Sequence, residues 1–298
     1  MDRNMSAGFD LYETHSTYQE SNYSSDTSGL GLRLGFPVSE FGRMALRYTL
    51  RQDDIQVSGI TSPDIQKAGG LTTLSLIGYS YSYDEKDDPI EPKNGYDFNF
   101  SQDVAGLGGD KQYARTEASA NLYQRLWSDE LILNLAGSAG YFYALDDANN
   151  TNANDRFFKG GGSFRGFKTS GIGPRDTAYS SNNSVGGEAY AIGTVELRFP
   201  NFLPAELGIK TSLFTDFGTV GLVTNKGTCN DTNHDHIADN PALPLTCIQD
   251  DLSLRASAGV SVYWNSPFGP VRLDFSQILK KENYDQTEGF RFSAGTKF

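Results

Sequence analysis

The sequence predicts an all-β fold, a transmembrane antiparallel β-barrel with about twelve strands visible, on three observations. Apolar and polar residues alternate with a period of two along most of the chain, as they do where successive side chains point to opposite faces of a strand. The alternating segments run ten residues or more, against a usual length of roughly 5–6 in soluble sheets. Their polar face carries Arg, Glu and Asp deep within the segments, whereas the other face ends in aromatics, the pattern of a wall between lipid and a wet lumen. A bilayer core offers no water to an open sheet edge, so a sheet that spans it closes into a barrel.

Twelve such segments lie at 4–18, 27–37, 43–54, 71–84, 95–104, 111–127, 130–145, 187–199, 207–220, 251–264, 269–279 and 288–298. In RMALRYTLR (43–51), Met44, Leu46, Tyr48 and Leu50 alternate with Arg43, Arg47 and Arg51. In SLRASAGVSVYW (253–264), Leu254, Ala256, Ala258, Val260, Val262 and Trp264 share a face opposite Arg255, Ser257, Gly259, Ser261 and Tyr263. In GFRFSAGTKF (289–298), Phe290, Phe292, Ala294 and Phe298 oppose Arg291, Ser293 and Lys297. The links after the second, sixth, eighth and tenth segments are short; those after the first, third, seventh, ninth and eleventh are mostly longer and polar. The link at 85–94 is intermediate and the one after the fifth segment is short. Tyr141, Tyr143, Tyr263 and Trp264, near segment ends, read as interfacial anchors.

Composition narrows the function. The 298 residues carry a net charge of −12, which excludes a nucleic-acid partner because phosphate backbones need a basic face. No apolar run approaches the ~18 residues of a membrane helix. The start, MDRNMSAGFD, has neither the basic nor the apolar region of a signal peptide. The three histidines stand near no serine or aspartate motif, so hydrolytic chemistry is not expected.

Parity places Arg115, Glu117, Arg125, Glu196, Arg198, Lys210, Asp216, Arg255, Arg272, Asp274, Arg291 and Lys297 on the lumen side. Both signs are mixed, which suits a lumen held by ion pairs, and twelve strands leave room inside for water or a plug. The link at 146–186 is longer than a connector requires. Its middle, FFKGGGSFRGFKTSGIGPRD, places Arg165 between glycines and aromatics, a composition suited to burial. A buried arginine needs carboxylates, and Glu196 and Asp216 on the next two segments are the candidates. The loop is therefore expected to fold back into the barrel.

The other long loop, 221–250, contains both cysteines, and Cys229–Cys247 is expected to form a disulfide that closes an extracellular loop. Loop closure of this size contributes ~3 kcal/mol. Within it Asp231, Asn233, Asp235 and Asp239 have the oxygen spacing of a calcium loop, but His236 stands where glycine is expected and no bidentate Glu follows, so a solvated acidic loop is the favoured reading.

FRGF followed by GIGPRD, VGGEAYAIGTVELRF, SLFTDFGTV, SVYWNSPFGPVRLDFSQ and the terminal GFRFSAGTKF resembles the BamA family, the outer-membrane β-barrel assembly proteins also called bacterial surface antigens. LGLRLGFPVSEFGRMALRY and GYDFNF resemble earlier barrel strands of that family, so the resemblance covers essentially the whole chain as one domain, 1–298. It implies a sixteen-stranded barrel preceded by periplasmic POTRA domains. It further implies that Phe164, Arg165, Gly166 and Phe167 form an inward latch on Glu196 and Asp216, with Gly173, Pro174, Arg175 and Asp176 as a second loop motif. Phe290, Phe292 and Phe298 mark the aromatic terminal strand. The implied activity is folding and inserting barrel proteins in the bacterial outer membrane through a seam between first and last strands, with no cofactor and no catalytic residue. The implied partners are nascent outer-membrane barrels, outer-membrane lipids and lipopolysaccharide, and accessory lipoproteins docked on POTRA domains. By its motifs the chain begins near the family's fifth strand, so it is expected to be a truncated piece without POTRA domains or a complete lateral gate. Secretion relatives share the FRGF motif, which makes a two-partner-secretion type of translocation channel, a passive pore or a surface-antigen barrel the alternative.

Overall fold

A computed structural model describes the chain apart from residues 1–4, 58, 60, 129, 146–152, 179–181, 202, 205–206, 225, 227, 233–235, 244, 267–268 and 296–298. Twelve strands follow one another around a single antiparallel barrel sheet. They are β1 (Ser6–Tyr18), β2 (Tyr23–Pro37), β3 (Gly42–Val57), β4 (Gly70–Asp84), β5 (Gly95–Gly109), β6 (Tyr113–Arg125), β7 (Ile132–Ala144), β10 (Ala189–Phe199), β11 (Ile209–Gly221), β13 (Arg255–Ser266), β14 (Gly269–Lys280) and β15 (Phe290–Ala294). Three two-residue strands, β8 (Arg175–Asp176), β9 (Asn183–Ser184) and β12 (Ile248–Gln249), form a separate small sheet in the order β12-β8-β9. Among the described residues no ladder joins β1 to β15.

All twelve segments read from the sequence contain strands, and the larger differences lie at their outer ends. β2 begins at Tyr23 instead of 27, so the link after β1 is four residues and not a long loop. β5 runs on through Gly106–Gly109, which the sequence places in the short link after the fifth segment, across a register irregularity between Leu74 and Leu76 of β4. Where a strand projects past the membrane both of its faces are polar, and the period-two signal that marks it disappears.

The lipid and lumen faces follow the predicted parity. On β11, Leu213 and Phe217 are 50% and 42% exposed, while the alternate Ser212, Phe214 and Asp216 are buried. Tyr141, Tyr143 and Trp264 are likewise exposed. Tyr263 is a correction: it shares the parity of Ser257 and Ser261, and its hydroxyl donates to Glu196 (2.7 Å) inside the barrel. Lys210 pairs with Glu91 of the 85–94 link, both about half-exposed.

At one end most links between strands are short; in that between β2 and β3, the Val38 N–H donates to Gly42 O (2.9 Å). At the other end lie the long loops, and the residues they bury form two clusters. One lies in the lumen: Phe157, Phe164, Phe167 and Ile172 of the β7–β10 loop pack on wall residues that include Leu74, Phe142, Tyr190 and Val220. The second caps it, joining Tyr23 and Ile55 to Ile65 of the short helix α1 (Pro63–Gln66), Val185 and Val223. A wall whose outer face is apolar has its polar face inward, so the core of this protein is supplied by a loop.

Candidate functional site

The β7–β10 loop enters the lumen as a compact knot. Gly161 N–H donates to Phe167 O (2.9 Å), closing the chain on itself. At Gly160, φ is +133° and an added Cβ would lie 2.1 Å from Lys168 O, so only glycine permits the turn. Phe164 and Phe167, both fully buried, meet edge to face with centroids 5.2 Å apart. The residues between them, Arg165 and Gly166, are thereby pressed against the wall.

Arg165 is almost wholly buried and uses its fork geometry fully. Nε and Nη2 donate to Oδ2 and Oδ1 of Asp216 (2.8 and 2.7 Å), and Nη1 donates to Glu196 Oε2 (2.8 Å). Its backbone takes part as well: the N–H donates to Asp216 Oδ2 (3.0 Å), and the carbonyl accepts from Ser257 Oγ (2.6 Å). The guanidinium carbon sits 3.6 Å from the Phe214 ring centroid. Burial works against the charge, but the hydrogen bonds and attraction of Asp216, then the attraction of Glu196, outweigh it and hold the pKa above the ordinary arginine value. Planar bidentate pairing of this kind is specific to arginine.

The carboxylates are satisfied on their other sides. Glu196 accepts from Ser212 Oγ and Tyr263 OH (each 2.7 Å), and Asp216 accepts from Thr194 Oγ1 (2.8 Å). Beyond them Ser261 bonds both Arg165 and Asp274, and Arg272 Nε donates to Asp274 (2.9 Å). One arginine in the loop thus organises side chains on β10, β11, β13 and β14.

Gly166 is the point of closest approach. Its φ is +89°, and a Cβ would meet Ile278 Cδ1 at 2.7 Å, Ser257 Cβ at 3.0 Å and Ser276 Cβ at 3.3 Å. Gly166→Ala is therefore expected to cost roughly 1–3 kcal/mol, through strain at positive φ and overpacking against the wall. A thermal midpoint equal to that of the unsubstituted protein would contradict this account.

The second loop motif serves the cap. Asp176, fully buried, accepts from Ser62 Oγ (2.6 Å), Thr246 Oγ1 (2.9 Å), Cys247 N–H (2.8 Å) and Ala178 N–H (3.2 Å). It joins the β3–β4, β7–β10 and β11–β13 loops at one atom pair. Arg175 points elsewhere, donating to the carbonyls of Asn182 (2.7 Å) and Ser170 (2.5 Å), with Glu20 at 3.8 Å. Burial is the largest influence on its pKa and pulls it below the ordinary value. Gly173 has φ +104° and faces Val220, and the carbonyl of Pro174 accepts from Val185 N–H (3.1 Å).

The remaining sequence-predicted residues fall as follows. Cys229 and Cys247 are disulfide-bonded. Asp239 accepts from Thr232 N–H and Oγ1 (2.9 and 2.6 Å), which hold its pKa below the usual carboxylate value, and Asp231 accepts from His236 N–H (3.3 Å). Asn233 and Asp235 lie outside the described residues. Among the described residues no group of three or more His, Cys, Asp or Glu is placed to hold a metal ion. Phe290 and Phe292 are exposed on the outer face of β15, and Phe298 lies outside the described residues.

Buried pairs among the described residues that escaped sequence reading include three with partners far apart in the chain. Lys111 Nζ bonds Asp155 (2.8 Å), Arg156 bonds Asp64 (2.6 Å) and Arg255 bonds Asp285 (3.0 Å). The partners stand 44, 92 and 30 residues apart. Strand parity cannot reach a partner that sits in a loop; Arg255 gave a signal, as a charge at the lumen parity.

An Omp85 superfamily domain matches residues 1–298. The chain is 28% identical to the outer membrane protein assembly factor BamA of Neorickettsia risticii, covering 97% of this chain and 36% of that protein. It is 26% identical to the BamA of Neisseria meningitidis serogroup B, covering 99% and 40%. It is 24% identical to the mouse sorting and assembly machinery component 50 homolog, covering 100% and 61%. The chain thus spans less than two thirds of the length of each of these relatives. A crystal structure of BamA from Haemophilus ducreyi lacking POTRA domains 1–3 shares the fold, with a TM-score of 0.78 at 23% identity over 97% of this chain and 58% of that one. With an inward arginine-bearing loop inside a transmembrane antiparallel barrel, and a match that runs its whole length, the chain belongs to the Omp85 superfamily.

Proposed function

We propose that this chain is the barrel portion of a bacterial outer-membrane assembly factor, which folds other β-barrel proteins and inserts them into that membrane. The observation that carries this reading is the lumenal loop, held by Arg165 on Glu196 and Asp216. It places a folded loop inside the barrel, in space that a conducting channel would leave open, and the relatives are named as assembly factors. The work required is conformational, so Arg165, Gly166 and their carboxylates hold a shape and transform no substrate. The partners in this reading are unfolded outer-membrane barrels, the surrounding lipids and lipopolysaccharide, and accessory lipoproteins recruited through POTRA domains.

The test uses the whole protein that contains this barrel, reconstituted in liposomes and supplied with a small unfolded outer-membrane barrel. Acceleration of the substrate's heat-modifiable folding over empty liposomes is the expected result. A folding rate equal to that of empty liposomes, with a large steady conductance in planar bilayers, sinks the proposal and favours the channel reading.

A further inference from the structure

We propose that Arg255 and Asp285 are positioning residues for the last strand, and that the β14–β15 loop they anchor couples β15 to the lumenal loop. Among the described residues the ladder that holds β15 to the sheet has five pairs, from Val271↔Ala294 to Phe275↔Phe290, on a twelve-residue partner. Its loop, 281–289, is nevertheless tied down at every step.

The first tie is ionic. Asp285, a buried residue, accepts from Arg255 Nε and Nη2 (3.0 and 3.3 Å), and Arg255 is itself fully buried at the outer end of β13. The remaining donors of Arg255 go to the carbonyls of Asp251 (2.9 Å) and Ser253 (3.0 Å) and to Tyr284 OH (3.1 Å). The Glu282 N–H closes the turn onto Asp285 Oδ2 (2.7 Å).

The second tie is a ladder between loops. Lys168 N–H donates to Gln286 O (3.0 Å), Gln286 N–H to Gly171 O (2.9 Å), and Glu288 N–H to Gly166 O (2.9 Å), with Phe167 bridged to Thr287. Arg291, already in β15, donates to Thr169 Oγ1 (3.2 Å). The chain that enters β15 therefore hydrogen-bonds the residue next to Arg165.

None of these contacts belongs to the strand ladders. Their loss leaves the sheet from β1 to β14 intact and alters only where the outer end of β15 sits. The outer end of an edge strand frays readily by itself, so its position is set by what holds the loop before it. This inference rests on the proposed assembly function only for its consequence, since a last strand that takes part in passing substrates must be held by something that releases.

Hydrogen exchange read by mass spectrometry on the purified protein in nanodiscs tests it. Asp285→Asn keeps the side-chain shape and removes the charge that Arg255 needs. Exchange in peptides covering 281–294 is expected to rise tenfold or more, with 209–221 and 255–266 as protected as before. Asp285→Glu, which retains a carboxylate, is expected to restore most of the protection. Tyr284→Phe removes one hydroxyl partner of Arg255, is milder should Asp285→Asn fail to fold, and is expected to give about a threefold rise in the same peptides. Unchanged exchange at 290–294 in both Asp285→Asn and Tyr284→Phe overturns the proposal, as does a uniform rise across all strands. The liposome assay is read separately. Loosened β15 with a normal folding rate keeps the positioning role and counts against a part for β15 in assembly, whereas a rate no better than that of empty liposomes in the unsubstituted protein counts against the assembly reading itself.

Discussion

Arg165→Ala is expected to destabilise the barrel by roughly 3–5 kcal/mol, the usual cost of removing one partner from a buried ion pair. The loss is large because two carboxylates depend on the same guanidinium, and both are buried against the wall. Ser212, Tyr263 and Thr194 would still donate to them, but neutral donors do not cancel two charges. Arg165→Lys is expected to fall between, because an ammonium reaches one carboxylate well and cannot reproduce the fork. The measurements are the temperature at which heat-modifiable migration is lost on gels and the protease resistance of the 153–178 segment. Adding Glu196→Gln and Asp216→Asn to Arg165→Ala should recover part of the loss, since it removes the orphaned charges along with their partner. A midpoint unchanged by Arg165→Ala would show that packing of Phe164 and Phe167 holds the loop and that the ion pairs contribute little.

The wall of this protein was legible in its sequence and the cap was not, for a physical reason. A strand between lipid and water writes its geometry into alternate residues, and so the parity of Glu196 and Asp216 could be read before their partner was known. Tyr263 shows the limit of the same signal. Aromatic identity suggested the membrane interface, while its place in the alternation put it inside, and the alternation was the stronger constraint. The loops obey no such period. Asp64 and Ile65 belong to a helix of one turn that Ser62 precedes, too short to display a helical repeat, and the partners of Ser62 and Asp64, Asp176 and Arg156, lie about a hundred residues away. Glycine was the one reliable local sign: the cluster around 160–166 marked a segment where backbone approaches backbone.

Asp176→Ala is expected to open the cap while sparing the wall. Ser62 and Thr246 can turn their hydroxyls toward other acceptors, but the N–H groups of Cys247 and Ala178 are fixed by the chain and are left without an acceptor. Each buried amide so orphaned costs roughly 1–3 kcal/mol. That cost falls on the β12-β8-β9 sheet, whose pairings are two residues each, and the long strand ladders do not share it. Protease cleavage within 61–69 and 246–252 should therefore rise several-fold at temperatures where heat-modifiable migration is still normal. Asp176→Asn, which keeps one acceptor oxygen, should lie nearer the unsubstituted protein. Conductance separates the cap from the lumenal loop: if Arg165 alone seals the barrel, Asp176→Ala leaves planar-bilayer current unchanged, whereas a rise in current without loss of the barrel makes the cap part of the seal. Equal protease resistance in Asp176→Ala and the unsubstituted protein would mean that the apolar cluster of Tyr23, Ile65, Val185 and Val223 holds the three loops together without it.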